Sequence, residues 1–251
     1  MINYIRAECL KVKRSFSITL IGLIALINIL ISFIMSPVYF VTNTFNWWSI
    51  LFMPIAIALW CAQSNQKEKK AGDYSNILLL PISPSKVWVA KVIVIALQAL
   101  FSLLLFLVMM GLLSFVFPGM PLFEMRQLEG LLLIWFTSLW EIPLMLYLAK
   151  KWGMGAALIT NIVGGLVLGI AFSTKALWWL NPWSWSIRLM MPIIGVHPNG
   201  TLLSQSSHFR DGSVIIIGIL LAASLVITIT ALTSLAFKKS VPVNNSVKGA
   251  K

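Results

Sequence analysis

Seven acidic residues in a chain of 251 set narrow bounds on its chemistry: Glu8, Glu68, Asp73, Glu124, Glu129, Glu141 and Asp211. No two of them are placed to form a general acid and base pair within a membrane cavity. The two histidines, His197 and His208, fall together in one polar connection, so a serine hydrolase buried elsewhere in the chain would lack its base. Cys9 and Cys61 show no Cys-x-x-Cys or Cys/His spacing, which points to neither a disulfide framework nor a metal site. His-Glu-x-x-His and Gly-x-x-x-x-Gly-Lys-Ser/Thr are both absent, and without the latter the chain has no phosphate loop with which to hydrolyse ATP. The sequence therefore predicts no catalytic residues, no metal and no cofactor held by this chain.

The elements that carry these residues are apolar. The chain is 59% hydrophobic and 10% charged, with mean hydropathy +0.91, whereas soluble domains run near ~45–50% and ~25%. Six spans of roughly 20 residues would take about 120 positions. The remainder cannot hold a separate nucleotide-binding domain of about 100–150 residues. Six apolar runs are candidates: Phe16–Ser36, Trp47–Gln63, Val89–Phe117, Gly130–Ala149, Met154–Phe172 and Val214–Phe237.

A net charge of +12 could suggest nucleic acid, but the basic residues sit in short clusters between apolar runs, and topology explains them better. Alternate connections place Arg6, Lys11, Lys13, Arg14, Lys67, Lys69, Lys70, Lys86, Lys91, Lys150, Lys151, Lys238, Lys239, Lys248 and Lys251 on one side, leaving Arg126, Lys175, Arg188 and Arg210 on the other. By the positive-inside rule both termini are cytoplasmic. The cysteines then lie near the reducing side. The expected fold is an all-α membrane protein, one transmembrane domain over residues 1–251 with six spans.

Residues 1–15 read as an amphipathic interfacial helix, because Ile2, Ile5, Cys9, Val12 and Phe16 recur every three or four positions while Arg6, Lys13 and Arg14 can face headgroups. A basic flank that only fixes orientation is the alternative. The following apolar run exceeds a signal-peptide core and lacks an Ala-x-Ala site, so it is read as a retained anchor. In the inner connection, residues 64–86, Gly72 can end one helix, Asp73 can cap a short second one, and Pro81 cannot continue it. Ser83 and Pro84 then read as cap and first residue of the third span. A solvated loop is the competing reading. The outer connection, residues 173–212, holds Trp178, Trp179, Trp183 and Trp185, with Pro182, Pro192 and Pro198 dividing it into pieces too short to span. Tryptophan favours the interface, so these pieces should dip into the outer leaflet or cap the helices. Residues 238–251 form a basic cytoplasmic tail.

Within the spans, Glu141 stands two residues before Pro143, and a charged carboxylate there costs roughly 2.5–3.5 kcal/mol on insertion scales. It is either a proton-coupling site or a hydrogen-bonded glutamate fastening helices near a kink. Gln98 and Asn161 fit interhelical hydrogen bonding or a substrate path. Gly165 with Gly169, and Gly218 with Ala222, form small-xxx-small steps that allow close helix approach.

Two segments carry a family resemblance. Glu68-x4-Asp73 followed by Leu79-Leu80-Pro81-x-Ser83-x2-Lys86 and Lys91, and Asn181-Pro182-Trp183-Ser184 through Arg188, Pro192 and Gly195-Val196-His197-Pro198-Asn199-Gly200, resemble the first inner loop and outer segment of type-2 ABC exporter permeases. Within that group the chain is most similar to the permeases of lantibiotic-immunity transporters. The resemblance implies a coupling helix with contacts at Glu68, Gly72, Asp73, Tyr74, Leu79, Leu80 and Pro81, and a re-entrant outer segment with contacts at Trp178, Trp179, Trp183, Trp185 and Arg188. It further implies a second permease, identical or homologous, and two copies of a cytoplasmic ATPase that bind the ATP and Mg. The cargo would be a cationic antimicrobial peptide, expelled from a bacterial cell membrane to give self-protection, with the lipid bilayer and no nucleic acid as surroundings. Two rival classes remain: a secondary transporter driven by protons through Glu141, and a non-transporting sensor or scaffold.

Overall fold

The computed structural model describes residues 1–13, 15–74, 77, 82–116 and 124–240. The expected coupling helix, with Leu79, Leu80 and Pro81, lies outside these residues for the most part, as do Arg14, Phe117 and tail residues 241–251. The described residues hold helices α1 (Ile2–Lys13), α2 (Phe16–Met35), α3 (Phe40–Lys70), α4 (Pro84–Val116), α5 (Met125–Ser138), α6 (Glu141–Trp152), α7 (Met154–Ser173), α8 (Trp183–Ile194) and α9 (Ser213–Ser240). Five are individually long and apolar enough to cross a membrane, and a sixth span results if α5 and α6 count as one bent pair.

α3 is the axis of the bundle. Of its most apolar stretch 78% is buried, against 17% for α9, and it packs on α2, α4, α6 and α7. It is longer at both ends than the run Trp47–Gln63. Thr42, Asn43, Thr44 and Asn46 lower the hydropathy at its start, yet all four are buried against hydrogen-bonding partners. At its far end Gln66, Lys67, Glu68, Lys69 and Lys70 are good helix formers, so the helix continues until Gly72 (φ 101°) turns the chain. The connection expected at 64–86 is correspondingly shorter.

The fourth span, expected as a single run from Gly130 to Ala149, is broken: α5 and α6 meet at 43°. Pro143 accounts for the position, since its ring crowds the carbonyl of the fourth residue back, Leu139, and it has no N–H to offer that carbonyl. A second proline, Pro54, likewise leaves Ile50 without its normal donor, and residues Trp48–Phe52 just upstream wind as a π-helix. A further π-helical stretch, Gly164–Gly169, lies in α7 and packs against the first.

Glycine makes that approach feasible. A Cβ on Gly165 would stand 2.2 Å from the Ile50 carbonyl oxygen, and one on Gly164 would stand 2.3 Å from the Trp183 ring. Gly218 is similarly filled by Leu189. Both small-residue steps thus serve contacts within this chain.

The connection 173–212 contains a 3-10 turn at Trp178–Leu180, then α8, then a loop closed by a single bridge between Val196 and Leu202. At about 1.5 Å per residue the twelve residues of α8 reach about 18 Å, too short to span. Pro192 does not divide this segment. Its fixed φ is helical, so it removes one hydrogen bond without ending the helix, and Gly195 in the left-handed region (φ 73°) is the stop.

Candidate functional site

At a charged junction between α1, α3 and α4, the N-terminal helix is joined to the ends of two spans. Glu8 is 6% exposed and Lys91, two turns into α4, is 2% exposed. Lys91 Nζ donates to Glu8 Oε2 at 2.9 Å and to Glu68 Oε1 at 2.6 Å. Lys11 Nζ closes the set, 2.6 Å from Glu8 Oε1 and 2.5 Å from Glu68 Oε1. Two carboxylates and two ammonium groups balance. An uncompensated ion at this depth would cost several kcal/mol. Burial alone would depress the pKa of Lys11, but Glu8 and Glu68 outweigh it and hold the value above that of an ordinary lysine.

Neighbouring contacts fasten α2 to α3 on the same side. Lys67 donates to Ser15 Oγ at 2.8 Å, and Trp60 Nε1 donates to the Ser17 carbonyl at 3.1 Å. The stripe that α1 turns toward the protein is therefore Tyr4, Ile5, Glu8 and Val12, whereas Ile2 and Cys9 face outward. The expected apolar stripe is only partly the buried one.

The chain leaves α3 through three consecutive left-handed residues, Gly72, Asp73 (φ 48°) and Tyr74 (φ 68°). For a non-glycine residue this conformation costs roughly 1–2 kcal/mol, and the surrounding contacts oppose that cost. Tyr74 OH donates to Asn65 Oδ1 at 2.6 Å, and Asn65 Nδ2 donates to the Leu146 carbonyl of α6 at 2.9 Å. The Tyr74 ring meets Phe237 edge-on at 5.7 Å, and Phe237 stacks on Trp88 at 4.8 Å. Lys150 sits over both the tyrosine and phenylalanine rings. Burial, then the charges of Glu68, Asp73 and Glu8, push the Tyr74 phenol upward, so it remains a donor. Asp73 itself is exposed. Between α1 and this turn lies an open cavity of about 500 Å³, lined by Tyr4, Ala7, Ile77, Ile82 and Val87 around Glu8 and Glu68.

Deeper in the bundle, Glu141 begins α6 just after the break and is 3% exposed. Asn161 Nδ2 donates to Glu141 Oε2 at 2.7 Å and to the Pro54 carbonyl at 2.9 Å, while Trp183 Nε1 donates to Asn161 Oδ1 at 3.2 Å. One amide thus joins α6, α7, α3 and α8. Trp140 packs edge-on against Trp183 at 4.9 Å. Gln98 stands apart, against α1 and α2 near Cys9, Val12 and Ile21, with its buried amide nitrogen unpartnered.

Of the outer-segment residues, Trp178, Trp185 and Arg188 are buried, Trp183 is half-buried, and Trp179 is 44% exposed. Arg188 donates to the Phe209 carbonyl at 3.3 Å and lies over the Phe209 ring. These side chains fill the bundle more than they cover its surface.

Sequence reasoning named Glu68 and Tyr74 but not their partners Glu8, Lys11, Lys91 and Asn65. Lys11 counted only toward topology, and Lys91 toward topology and the family resemblance. An acid three positions before a lysine in α1 was the available signal, and it does not reveal a contact with residue 68 or 91. Among the described residues no group of side chains has the makings of a metal site.

The fold is thus that of a polytopic helical membrane protein, with Glu8, Lys11, Glu68 and Lys91 gathered where the chain leaves α3 and enters α4. Residues 4–173 match the family model described as ABC-2 family transporter protein, and the chain belongs to that family. The match runs from α1 through α7 and so includes the charged junction, Glu141 and Asn161. α8 and α9 lie beyond it. No curated protein and no solved structure gave a match.

Proposed function

We propose that this chain is the membrane-spanning permease subunit of an ATP-driven exporter that expels a cationic, amphipathic antimicrobial peptide from a bacterial cell membrane. It pairs with a second permease, identical or homologous, and with two copies of a cytoplasmic ATPase that carry the ATP and Mg. Both termini face the cytoplasm, with the outer connection acting as a re-entrant segment. Membership of the ABC-2 family supports the permease role and the ATPase partner. The peptide cargo rests on the resemblance of the inner loop and outer segment to lantibiotic-immunity permeases.

The observation that carries the reading is the junction itself. In a chain with no phosphate loop of its own, α1, the end of α3 and the start of α4 are locked by Glu8, Lys11, Glu68 and Lys91 on either side of the inner loop. A push on that loop moves three elements together, and closure of an ATPase dimer supplies such a push. Exposed Gly72 and Asp73 are the contact, with Glu68 and Tyr74 buried behind them. Purification in mild detergent is expected to recover the ATPase with the permease. Asp73→Ala is expected to leave insertion and basal ATP hydrolysis intact but uncouple hydrolysis from efflux. Unchanged protection of cells against pore-forming peptides would overturn the contact assignment.

A buried carboxyl in a polar network favours one other reading, proton-coupled transport through Glu141. The two separate on Glu141→Gln, because glutamine keeps an acceptor for Asn161 but carries no exchangeable charge. Export should persist in the permease and cease in a proton-driven carrier.

A further inference from the structure

Opposite the inner junction, the first turns of α3 present a polar face unusual in so apolar a chain. Thr42, Asn43, Thr44 and Asn46 are all buried. What covers the face is main chain from the loop after α8. Thr42 Oγ lies 3.0 Å from the Gly200 carbonyl, and Asn46 Nδ2 donates to the Pro198 carbonyl at 3.1 Å. Gly200, with φ 87°, approaches so closely that a Cβ there would lie 2.7 Å from Asn43 Oδ1. No charge takes part, and no loop side chain is needed for these two bonds.

Three further observations indicate that the contact is exchangeable. Thr42 Oγ stands equally close, 3.0 Å, to the carbonyl of Tyr39 in its own turn, so its hydrogen has a second acceptor when the loop departs. Behind the face, Asn28 Oδ1 and Ser32 Oγ are fully buried without partners, although Asn28 and the Ser32 carbonyl already bond to α3 through Thr44 and Asn43. Spare hydrogen-bonding capacity at that depth is expensive unless another ligand or arrangement uses it. An open cavity of about 210 Å³, lined by Val38, Tyr39, Thr42 and Leu202, also lies directly beside the loop.

We infer that the polar face at Thr42, Asn43 and Asn46 is a binding site for peptide main chain, filled here by residues 198–200 and taken by the exported peptide when that loop lifts. The inference rests on the peptide-export reading above. Neutral donors directed at carbonyls accept any extended peptide regardless of its side-chain charge. The loop is then a competitor held in place from the other side by Leu203, which packs with Ile50, Ile187 and Met191.

Competition gives a signature that a purely structural contact would not. The probe is a fluorescent, N-acetylated, C-amidated dodecapeptide of alternating lysine and valine, measured by anisotropy on the permease and its ATPase in nanodiscs, with empty nanodiscs subtracted. Face-side variants Thr42→Val and Asn46→Leu are expected to bind it about tenfold more weakly. Loop-side variants Leu203→Ala and Pro198→Gly loosen the competitor and should bind it about threefold more tightly. Pro198→Gly keeps the carbonyl and serves should Leu203→Ala fail to fold. Replacing alternate amides of the probe by esters, which accept hydrogen bonds less well, should weaken binding to the unaltered protein clearly more than to Asn46→Leu, which keeps only the Thr42 donor. Weakening by both classes of variant, or indifference to both, would overturn the site while leaving peptide export standing. Absence of binding by every form, the unaltered protein included, would overturn both.

Discussion

The inner junction and the deep knot around Asn161 both bury polar groups where helices meet, but by opposite means. The junction uses full charges: two lysines and two glutamates neutralise each other across α1, α3 and α4. The knot uses a neutral amide that reaches one carboxyl, one carbonyl and one indole. The junction lies at the cytoplasmic edge in the proposed topology, where partial hydration and the companion ATPase are at hand. The knot lies beside two π-helical stretches, where glycine brings helix backbones nearly into contact. Ion pairs resist being pulled apart but allow a group to move as a unit, whereas a shared amide allows small local exchange. In the proposed exporter the junction would serve as a lever at one end and the knot as a flexing point in the middle.

If that contrast is right, the largest effect should come from removing one charge of the junction. Lys91→Met leaves two buried carboxylates with Lys11 alone, and breaking such a set typically costs about 3–5 kcal/mol. Thermal unfolding in detergent should show a severe loss, and adding Glu8→Gln should restore part of it. Equal damage from the single and double changes would deny the charge balance.

Next is the close approach at the knot. Gly165→Ala forces a methyl group into the Ile50 carbonyl, and overpacking of this kind costs about 1–3 kcal/mol. The same assay should detect it, while Gly155→Ala, with open space around it in the same helix, should not destabilise the protein. Asn161→Ala strands the Trp183 indole and the Glu141 carboxyl at about 1–3 kcal/mol, and Glu141→Gln should cost clearly less. The reverse order would make Glu141, and not the amide, the centre of the knot.

The smallest effects return to the inner side. Tyr74→Phe removes one hydrogen bond to Asn65 but keeps the ring on Phe237, an expected loss of about 1 kcal/mol. Lys11, 39% exposed at the edge of the junction and with a raised pKa, stabilises the folded state while protonated. That contribution is complete below the ordinary lysine value of 10.5 and fades as pH rises through the higher folded value. Unfolding followed from pH 9 to above 11 should therefore show a mild alkaline loosening that Lys11→Met lacks.

Much of the architecture was legible because span length and apolar runs are local properties. Pro143 announced a kink, though not a full break of the span, and Gly72 announced a helix end. The polar start of α3 was hidden because hydropathy penalises Thr42 to Asn46 regardless of the bonds they find. The buried tryptophans went unforeseen for a similar reason: the preference of the indole for interfaces is an average, and Trp185 and Trp178 are enclosed by α8 and its neighbours. Pairings between residues 8, 68 and 91 were not legible at all, since nothing in the spacing of a single chain places them together before the helices pack.

The most direct test of the central claim reconstitutes the chain in proteoliposomes with a fluorescent cationic peptide, with and without its ATPase, and with ATP or a proton gradient. Peptide should move only when both the ATPase and ATP are present, and the gradient should add nothing. Movement by the chain alone under a proton gradient would contradict the account.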